Sequence, residues 1–190
     1  MKRLAAVALL LLAGCSSGGE PSAAPSQPSF TGSGFASCPA AVSSPPSGSP
    51  LAGVKALVCM DGSGKKILAG AATGRPTVLN LWGSWCPPCG KEMPAFVHLS
   101  VRAGKRLTVL GVDTSDSGSN AVAAARDYDV KYPNVYDPDG RVRTALKITG
   151  LPATVFVTAG GEVAYVYRGA PLTEATLAGL IEKHLGVTVR

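Results

Sequence analysis

The sequence predicts an α/β fold in which a mixed β-sheet is covered by helices, and three observations carry that prediction. Between Pro76 and Lys147, segments with strand character alternate with segments of helical spacing. Ala153 to Thr158 and Val163 to Tyr167 then read as two strands joined by Gly160-Gly161, a hairpin connection. A further hairpin is predicted ahead of the alternating part, between Val54 and Leu68. Alternation followed by an antiparallel hairpin calls for a sheet with parallel and antiparallel neighbours and helices on its faces. The 190 residues, 46% hydrophobic and 16% charged, supply one packed core.

In chain order, Lys2 and Arg3 precede an apolar run from Leu4 to Ala13, of signal-peptide length and short for a bilayer span. The run ends in Leu12-Ala13-Gly14-Cys15, which resembles the lipobox of bacterial lipoproteins. That resemblance implies that residues 1–14 are a signal peptide and that Cys15 is lipidated. The chain would then sit on the extracytoplasmic side of the cell membrane, where two or more acyl chains hold a protein stably. An ordinary secretory signal or an uncleaved short anchor is the alternative. From Ser16 to Pro50 there are 35 residues, 23 of them Ser, Gly or Pro, a composition with too little apolar surface to offset its ordering entropy. Residues 15–50 are therefore expected to form the lipidated N-terminus and a tether. A flexible coil over Ser16 to Ser37 spans roughly 25 Å. The domain is expected in residues 51–190.

Val54 to Cys59 alternates as a strand does, and Asp61-Gly62-Ser63-Gly64 is a turn leading to a short strand at Lys66 to Leu68. Pro76 to Trp82 is a near-continuous apolar run rich in β-formers, the pattern of a strand buried on both faces. It leads directly into Trp85-Cys86-Pro87-Pro88-Cys89. Gly90 to Ala103 has helical spacing, interrupted by Pro94, whose missing backbone donor should bend the helix. Leu107 to Val112 is the next strand, Asn120 to Tyr128 an alanine-rich helix, and Asn134 to Tyr136 a short strand before the Asp137-Pro138-Asp139-Gly140 turn. Arg141 to Lys147 forms one more helix, and Thr173 to Leu185 is an amphipathic terminal helix.

Charge excludes one function class. The formal charge is +6, or +4 without Lys2 and Arg3, and there is no arginine-rich stripe interleaved with aromatics, so nucleic-acid binding is not expected. Cysteine usage points elsewhere. With Cys15 lipidated, four of five cysteines remain, an even set that suggests disulfides outside the cytoplasm. Cys86 and Cys89 form a C-x-x-C unit, which leaves Cys38 to pair with Cys59 as a structural disulfide. Separate buried or reactive thiols at Cys38 and Cys59, or a second redox pair, are the alternatives.

Several features in order resemble the TlpA/ResA/DsbE-like branch of the thioredoxin superfamily, across roughly Leu51 to Leu185. They are the strand Val78-Leu79-Asn80-Leu81-Trp82 before Trp85-Cys86-Pro87-Pro88-Cys89, the Lys91-Glu92-Met93-Pro94 continuation, Gly111-Val112-Asp113, Asp137-Pro138-Asp139-Gly140, and Gly150-Leu151-Pro152-Ala153-Thr154. The resemblance implies a thioredoxin fold with an N-terminal β-hairpin extension and a central β-α insertion. It also implies that Pro152 is a cis-proline facing the cysteines.

Disulfide exchange needs a thiolate attacker and a neighbouring thiol that resolves the mixed disulfide. Cys86 falls at a helix N-terminus, where unpaired backbone donors and the helix dipole favour negative charge, so it is the expected nucleophile. Cys89, one turn in, is the expected resolving thiol. Trp85 is expected either to shield one side of the sulfurs or simply to pack on the domain. Leu151 and Pro152 offer a backbone edge on which an extended or unfolded polypeptide substrate would dock as an added strand. Glu92, three residues after Cys89 and so on the same helical face, resembles the acidic residue that this branch places near its cysteines. Buried, it would exchange a proton with Cys89 near neutral pH; solvated, it would only complement the helix dipole.

The expected activity is therefore that of an extracytoplasmic, membrane-anchored thiol–disulfide oxidoreductase. The resemblance leans to a reductase supplied by a transmembrane thiol donor, with apocytochrome c thiols as a typical substrate of the branch. A disulfide-forming oxidase is the alternative within this class. Outside it stand a copper-binding metallochaperone, whose cysteines are usually spaced one residue further apart, a thiol peroxidase, and half of a zinc site. His98 and His184 lie on helical segments and are expected to be surface or core residues, so no metal site is assigned. No haem-attachment, flavin or nicotinamide motif is present, so no cofactor beyond the redox-active disulfide is expected.

Overall fold

The structure, a computed structural model, describes residues 28–189. The predicted signal peptide, Cys15 and the first part of the tether lie outside the described residues. The elements are β1 (Leu57–Cys59), β2 (Lys66–Ile67), β3 (Thr77–Trp82), α1 (Pro87–Ala103), β4 (Thr108–Thr114), α2 (Gly118–Asp127), β5 (Asn134–Asp137), α3 (Arg141–Ala145), β6 (Ala153–Val157), β7 (Val163–Tyr167) and α4 (Glu174–Leu185). One seven-stranded sheet has the order β2-β1-β5-β4-β3-β6-β7. The β3, β4 and β5 strands run parallel to their neighbours in that group, while β6, β7 and the β1–β2 hairpin are antiparallel additions at the two sides. The mixed sheet follows from the connections: helices return β3 to β4 and β4 to β5, and short turns join β1 to β2 and β6 to β7.

The middle strand explains the two-layer core. All six residues of β3 are buried, and successive side chains point to opposite faces. Val78 and Trp82 join the cluster built with Met93 and Phe96 of α1, Ala121 and Ala125 of α2, and Leu177 and Ile181 of α4. Leu79 and Leu81 join the opposite cluster, with Leu110, Val112, Val135, Val142 and Leu146. The unbroken apolar run in the sequence is therefore a strand covered on both sides. Asn80 is the polar exception, on the same face as Val78 and Trp82.

Helix ends follow the local chemistry. Ser117 and Thr173 accept from the backbone N–H groups of Asn120 and Thr176, capping α2 and α4. The active helix begins at Pro87, three residues earlier than its apolar spacing indicated, because prolines are tolerated in a first turn that has no donors to lose. Pro94 lies inside α1 at an exposed position, and the helix continues through it to Ala103. The predicted helix from Arg141 to Lys147 ends earlier, at Ala145, with Lys147 in a left-handed conformation at φ 52°.

The boundary placed at Pro50 is corrected. Residues 28–50 run against the domain, with Phe30, Ser33, Phe35 and Cys38 all buried. The Phe30 ring meets Tyr136 edge to face at 5.4 Å, Ser43 pairs with Ala72 in a β-bridge, and the Ser33 hydroxyl donates to the Met60 carbonyl at 2.6 Å. Composition misleads here because a few anchors suffice to hold a Ser/Gly/Pro-rich segment. Two phenylalanines bury apolar area, and Cys38 is joined to Cys59 by a disulfide with a Cα–Cα distance of 6.0 Å.

Candidate active site

The site lies where β3 ends and α1 begins. After Trp82 the chain turns through Gly83, Ser84 and Trp85, and Cys86 becomes the N-cap of α1. Cys86 and Cys89 are joined by a disulfide, with Cα atoms 5.3 Å apart. Cys86 is 6% exposed and Cys89 1%, so the first cysteine is the more accessible of the two. Pro87 and Pro88 have no N–H, and the Cys86 Sγ accepts instead from the Cys89 N–H at 3.2 Å. The end of the helix thus offers this sulfur one backbone donor, supplied by its own partner residue.

The turn before the cysteines is held by a neighbouring loop. The Asp116 carboxylate accepts from both the backbone N–H and the hydroxyl of Ser84 and from the Ser117 N–H. Trp85 is half exposed, and its indole N–H donates to the Ser115 carbonyl at 3.0 Å. A Cβ at Gly83 would lie 2.6 Å from that indole nitrogen, so only glycine lets the ring fold back over the turn. Arg143 stands over the Trp85 ring at 6.0 Å.

Leu151-Pro152 is a cis peptide bond. Sheet register places it: Leu81 of β3 pairs with Ala153 of β6, so Pro152, just before Ala153, lies at the same end of the sheet as the turn leading to Cys86. Pro152 is buried and Leu151 half-buried.

Glu92 is 1% exposed, buried in α1 one turn after Cys89. Its Oε1 accepts from Asn80 Nδ2 at 2.8 Å and its Oε2 from the Leu172 N–H at 3.1 Å. Burial pushes its pKa from 4.5 up to about 7, against the opposing pull of those two donors. Asn80 in turn accepts from the Tyr132 hydroxyl at 3.1 Å. The asparagine on the strand beneath the cysteines is therefore the link that orients a buried carboxyl.

The structure brings Trp85, Cys86, Cys89, Glu92, Leu151 and Pro152 to one end of the sheet. It keeps Cys38 and Cys59 apart from them, on the β1 side, where Cys59 pairs in register with Val135 of β5. His98 bonds Glu174 at 2.6 Å across the α1–α4 surface, and His184 stacks on Tyr165 at 4.0 Å. Among the described residues no group of three or more His, Cys, Asp or Glu is arranged to hold a metal ion.

Sequence reasoning assigned no role to three contributors. Asp116 sits in an unremarkable Ser/Gly-rich loop, and only the fold brings it to Ser84. Asn134 accepts from the Trp82 indole N–H at 2.8 Å, and its side chain fills the space a Cβ at Gly111 would need. Asp113, fully buried, has no hydrogen-bond partner for either carboxylate oxygen, and burial together with the nearby Asp116 and Asp137 charges pushes its pKa up to about 9. Glycine at position 111 and a polar residue closing an apolar strand were the available signals for the last two.

Comparison with known proteins agrees with this geometry. The family model described as Redoxin matches residues 28–181. Over 122 residues the chain is 30% identical to the thiol-disulfide oxidoreductase ResA of Bacillus subtilis, covering 64% of this chain and 68% of that protein. Over 98 residues it is 31% identical to the thiol:disulfide interchange protein DsbE of Xylella fastidiosa, covering 51% of this chain and 49% of that one. Among solved structures it is similar to MTB dsbF in its mixed oxidized and reduced forms, with a TM-score of 0.60 and 26% identity, covering 68% of this chain and 93% of that one. With a helix-capping cysteine pair at the end of such a sheet, the chain belongs to the Redoxin family and is a thiol–disulfide oxidoreductase of the ResA/DsbE type.

Proposed function

We propose that this protein is a lipid-anchored, extracytoplasmic disulfide reductase of exported polypeptides, working through Cys86 and Cys89. The observation that carries the redox assignment is the cysteine pair at the start of α1, with the first cysteine the more exposed and a buried carboxyl one turn beyond the second. The Cys86 thiolate attacks one sulfur of a client disulfide, forming a mixed disulfide and releasing the client's other sulfur as a thiolate that takes up a proton. The Cys89 thiol then loses its proton, attacks the Cys86 sulfur and expels the second client thiolate. Two client thiols and the Cys86–Cys89 disulfide result, and a membrane thiol donor returns the pair to its dithiol. No further cofactor is needed.

Glu92 supplies the proton acceptor for the second step. A carboxyl with a pKa near 7 is divided between its two forms at neutral pH, so it takes the Cys89 proton in one half-cycle and returns it in the other. Trp85 and the Leu151-Pro152 edge bind the client, the latter by pairing an extended chain with the backbone just ahead of β6, whose own two sides are taken by β3 and β7. The lipobox-like Leu12-Ala13-Gly14-Cys15 supports the anchor and the location. The likeness to ResA and DsbE supports the reductive direction and, through the branch's typical task, apocytochrome c as client. An oxidase of exported proteins is the second reading, with the same residues and the electron flow reversed.

The reduction potential of the Cys86–Cys89 couple tests the direction. Equilibration of the soluble domain, from Pro28 onward, in thiol buffers should give a value near or below about −270 mV, in the range of thioredoxin. A value near about −120 mV would make the protein an oxidant and overturn the reductase reading.

A further inference from the structure

The aromatic surface at the disulfide has a second member beside Trp85. Tyr128 follows the C-terminal end of α2 and is 41% exposed. Its ring lies across the first turn of α1 at Gly90: a Cβ there would fall 2.2 Å from the phenolic oxygen and 2.5 Å from the carbon that bears it. Gly90 stands four residues after Cys86, and its N–H points back to the Cys86 carbonyl at 3.4 Å. Residues four apart share one helical face, with side-chain positions about 5–6 Å from each other. The Tyr128 hydroxyl therefore stands about one helical turn from Cys86. It makes no hydrogen bond among the described residues.

Trp85, half exposed and fixed by its bond to Ser115, adjoins Cys86 on the chain's other side. Two exposed rings thus meet the chain on either side of Cys86, one over the turn at Gly83 and held by a loop, the other at Gly90 and admitted by a glycine. Buried aromatic residues are expected in any core, but a ring kept partly exposed against the first turns of the helix that carries a reactive cysteine is available to whatever docks there.

The geometry points to Tyr128 as a specificity-determining residue: with Trp85 it forms an aromatic cleft that selects extended polypeptides carrying an apolar or aromatic side chain beside the disulfide-bonded cysteine. The inference rests on the proposed role of Cys86 and Cys89 and names the class of client they reduce. Aromatic contact of this kind changes rates by about two- to tenfold.

Two glutathionylated peptides of equal charge test it, one with phenylalanine and one with glycine on each side of the cysteine. Each is mixed with the reduced protein, which supplies the two electrons. The products are the peptide thiol, glutathione and the Cys86–Cys89 disulfide. The ratio of second-order rate constants, phenylalanine peptide over glycine peptide, should be about fivefold or more for the wild type. It should fall toward unity in Tyr128→Ala and be retained in Tyr128→Phe, which keeps the ring. Wild-type rates that are equal for the two peptides, or a ratio unchanged by Tyr128→Ala, overturn the inference while leaving the redox role intact. If the wild type reduces neither peptide, the redox reading itself fails. Comparison of thermal unfolding across the three proteins shows that each ratio was measured on folded protein.

Discussion

Raising the pH should destabilise the oxidised protein through Glu92, and Glu92→Gln should remove that part of the response. A carboxyl whose pKa rises from 4.5 to about 7 on folding holds its proton more tightly in the folded state, by about 3 kcal/mol. Its contribution is fully present below pH 4.5 and is lost as the pH rises through 7. Asp113, pushed up to about 9, adds a loss of the same sign across that range, but it is common to both proteins and cancels in their difference. Gln at 92 replaces one of the two accepting oxygens with an amide nitrogen that only donates, so either Asn80 or Leu172 loses its acceptor, at a cost of about 1–3 kcal/mol. Wild type should therefore be clearly the more stable protein at pH 4.5, and its advantage should shrink by about 3 kcal/mol by pH 8. Urea unfolding at a series of pH values, with linear extrapolation, measures both quantities. A difference between the two proteins that stays constant with pH, or grows as the pH rises, would refute the reasoning.

Replacing Cys38 and Cys59 together by Ser opens a loop of sequence separation 21 and should cost about 3 kcal/mol in urea unfolding, while leaving the potential of the Cys86–Cys89 couple in place. Gly111→Ala should be among the most damaging single changes, on the order of 3 kcal/mol or more. The new Cβ would fall 1.7 Å from Asn134 Oδ1 and displace the acceptor of the Trp82 indole, a loss readable as a lowered unfolding midpoint. Asp116→Ala leaves the Ser84 N–H and hydroxyl without their acceptor and should cost about 1–2 kcal/mol in thermal unfolding. It should also slow thiol–disulfide exchange by loosening the turn that carries Trp85 and Cys86.

Much of this was legible in the sequence because local chemistry and global fold agree. The apolar run ending in Trp82 has one use, a strand buried on both faces, and the Trp-Cys-Pro-Pro-Cys that follows can only open a helix. The Asp-Pro-Asp-Gly turn and the Gly-Gly hairpin each announce an element boundary. The site was readable where its members adjoin in sequence: Trp85, Cys86, Cys89 and Glu92 lie within eight positions. Glu92 illustrates the limit, since its spacing from Cys89 was evident but its burial depends on Leu172, 80 residues away. Asp116, Asn134 and Tyr128 reach the site only across the sheet or between helices, and no local pattern marks them. Phe30 and Phe35 were hidden by the composition around them. A Ser/Gly/Pro-rich stretch reads as tether on average, yet two aromatic anchors and a disulfide hold it to the domain.

The central claim, that Cys86 attacks and Cys89 resolves, is tested most directly by trapping the intermediate. A reduced Cys89→Ser protein mixed with a glutathionylated peptide should accumulate a mixed disulfide that peptide mapping locates at Cys86. The Cys86→Ser protein should form an adduct at least tenfold more slowly. Trapped adducts on Cys38 or Cys59, or equal rates for the two variants, would contradict the account.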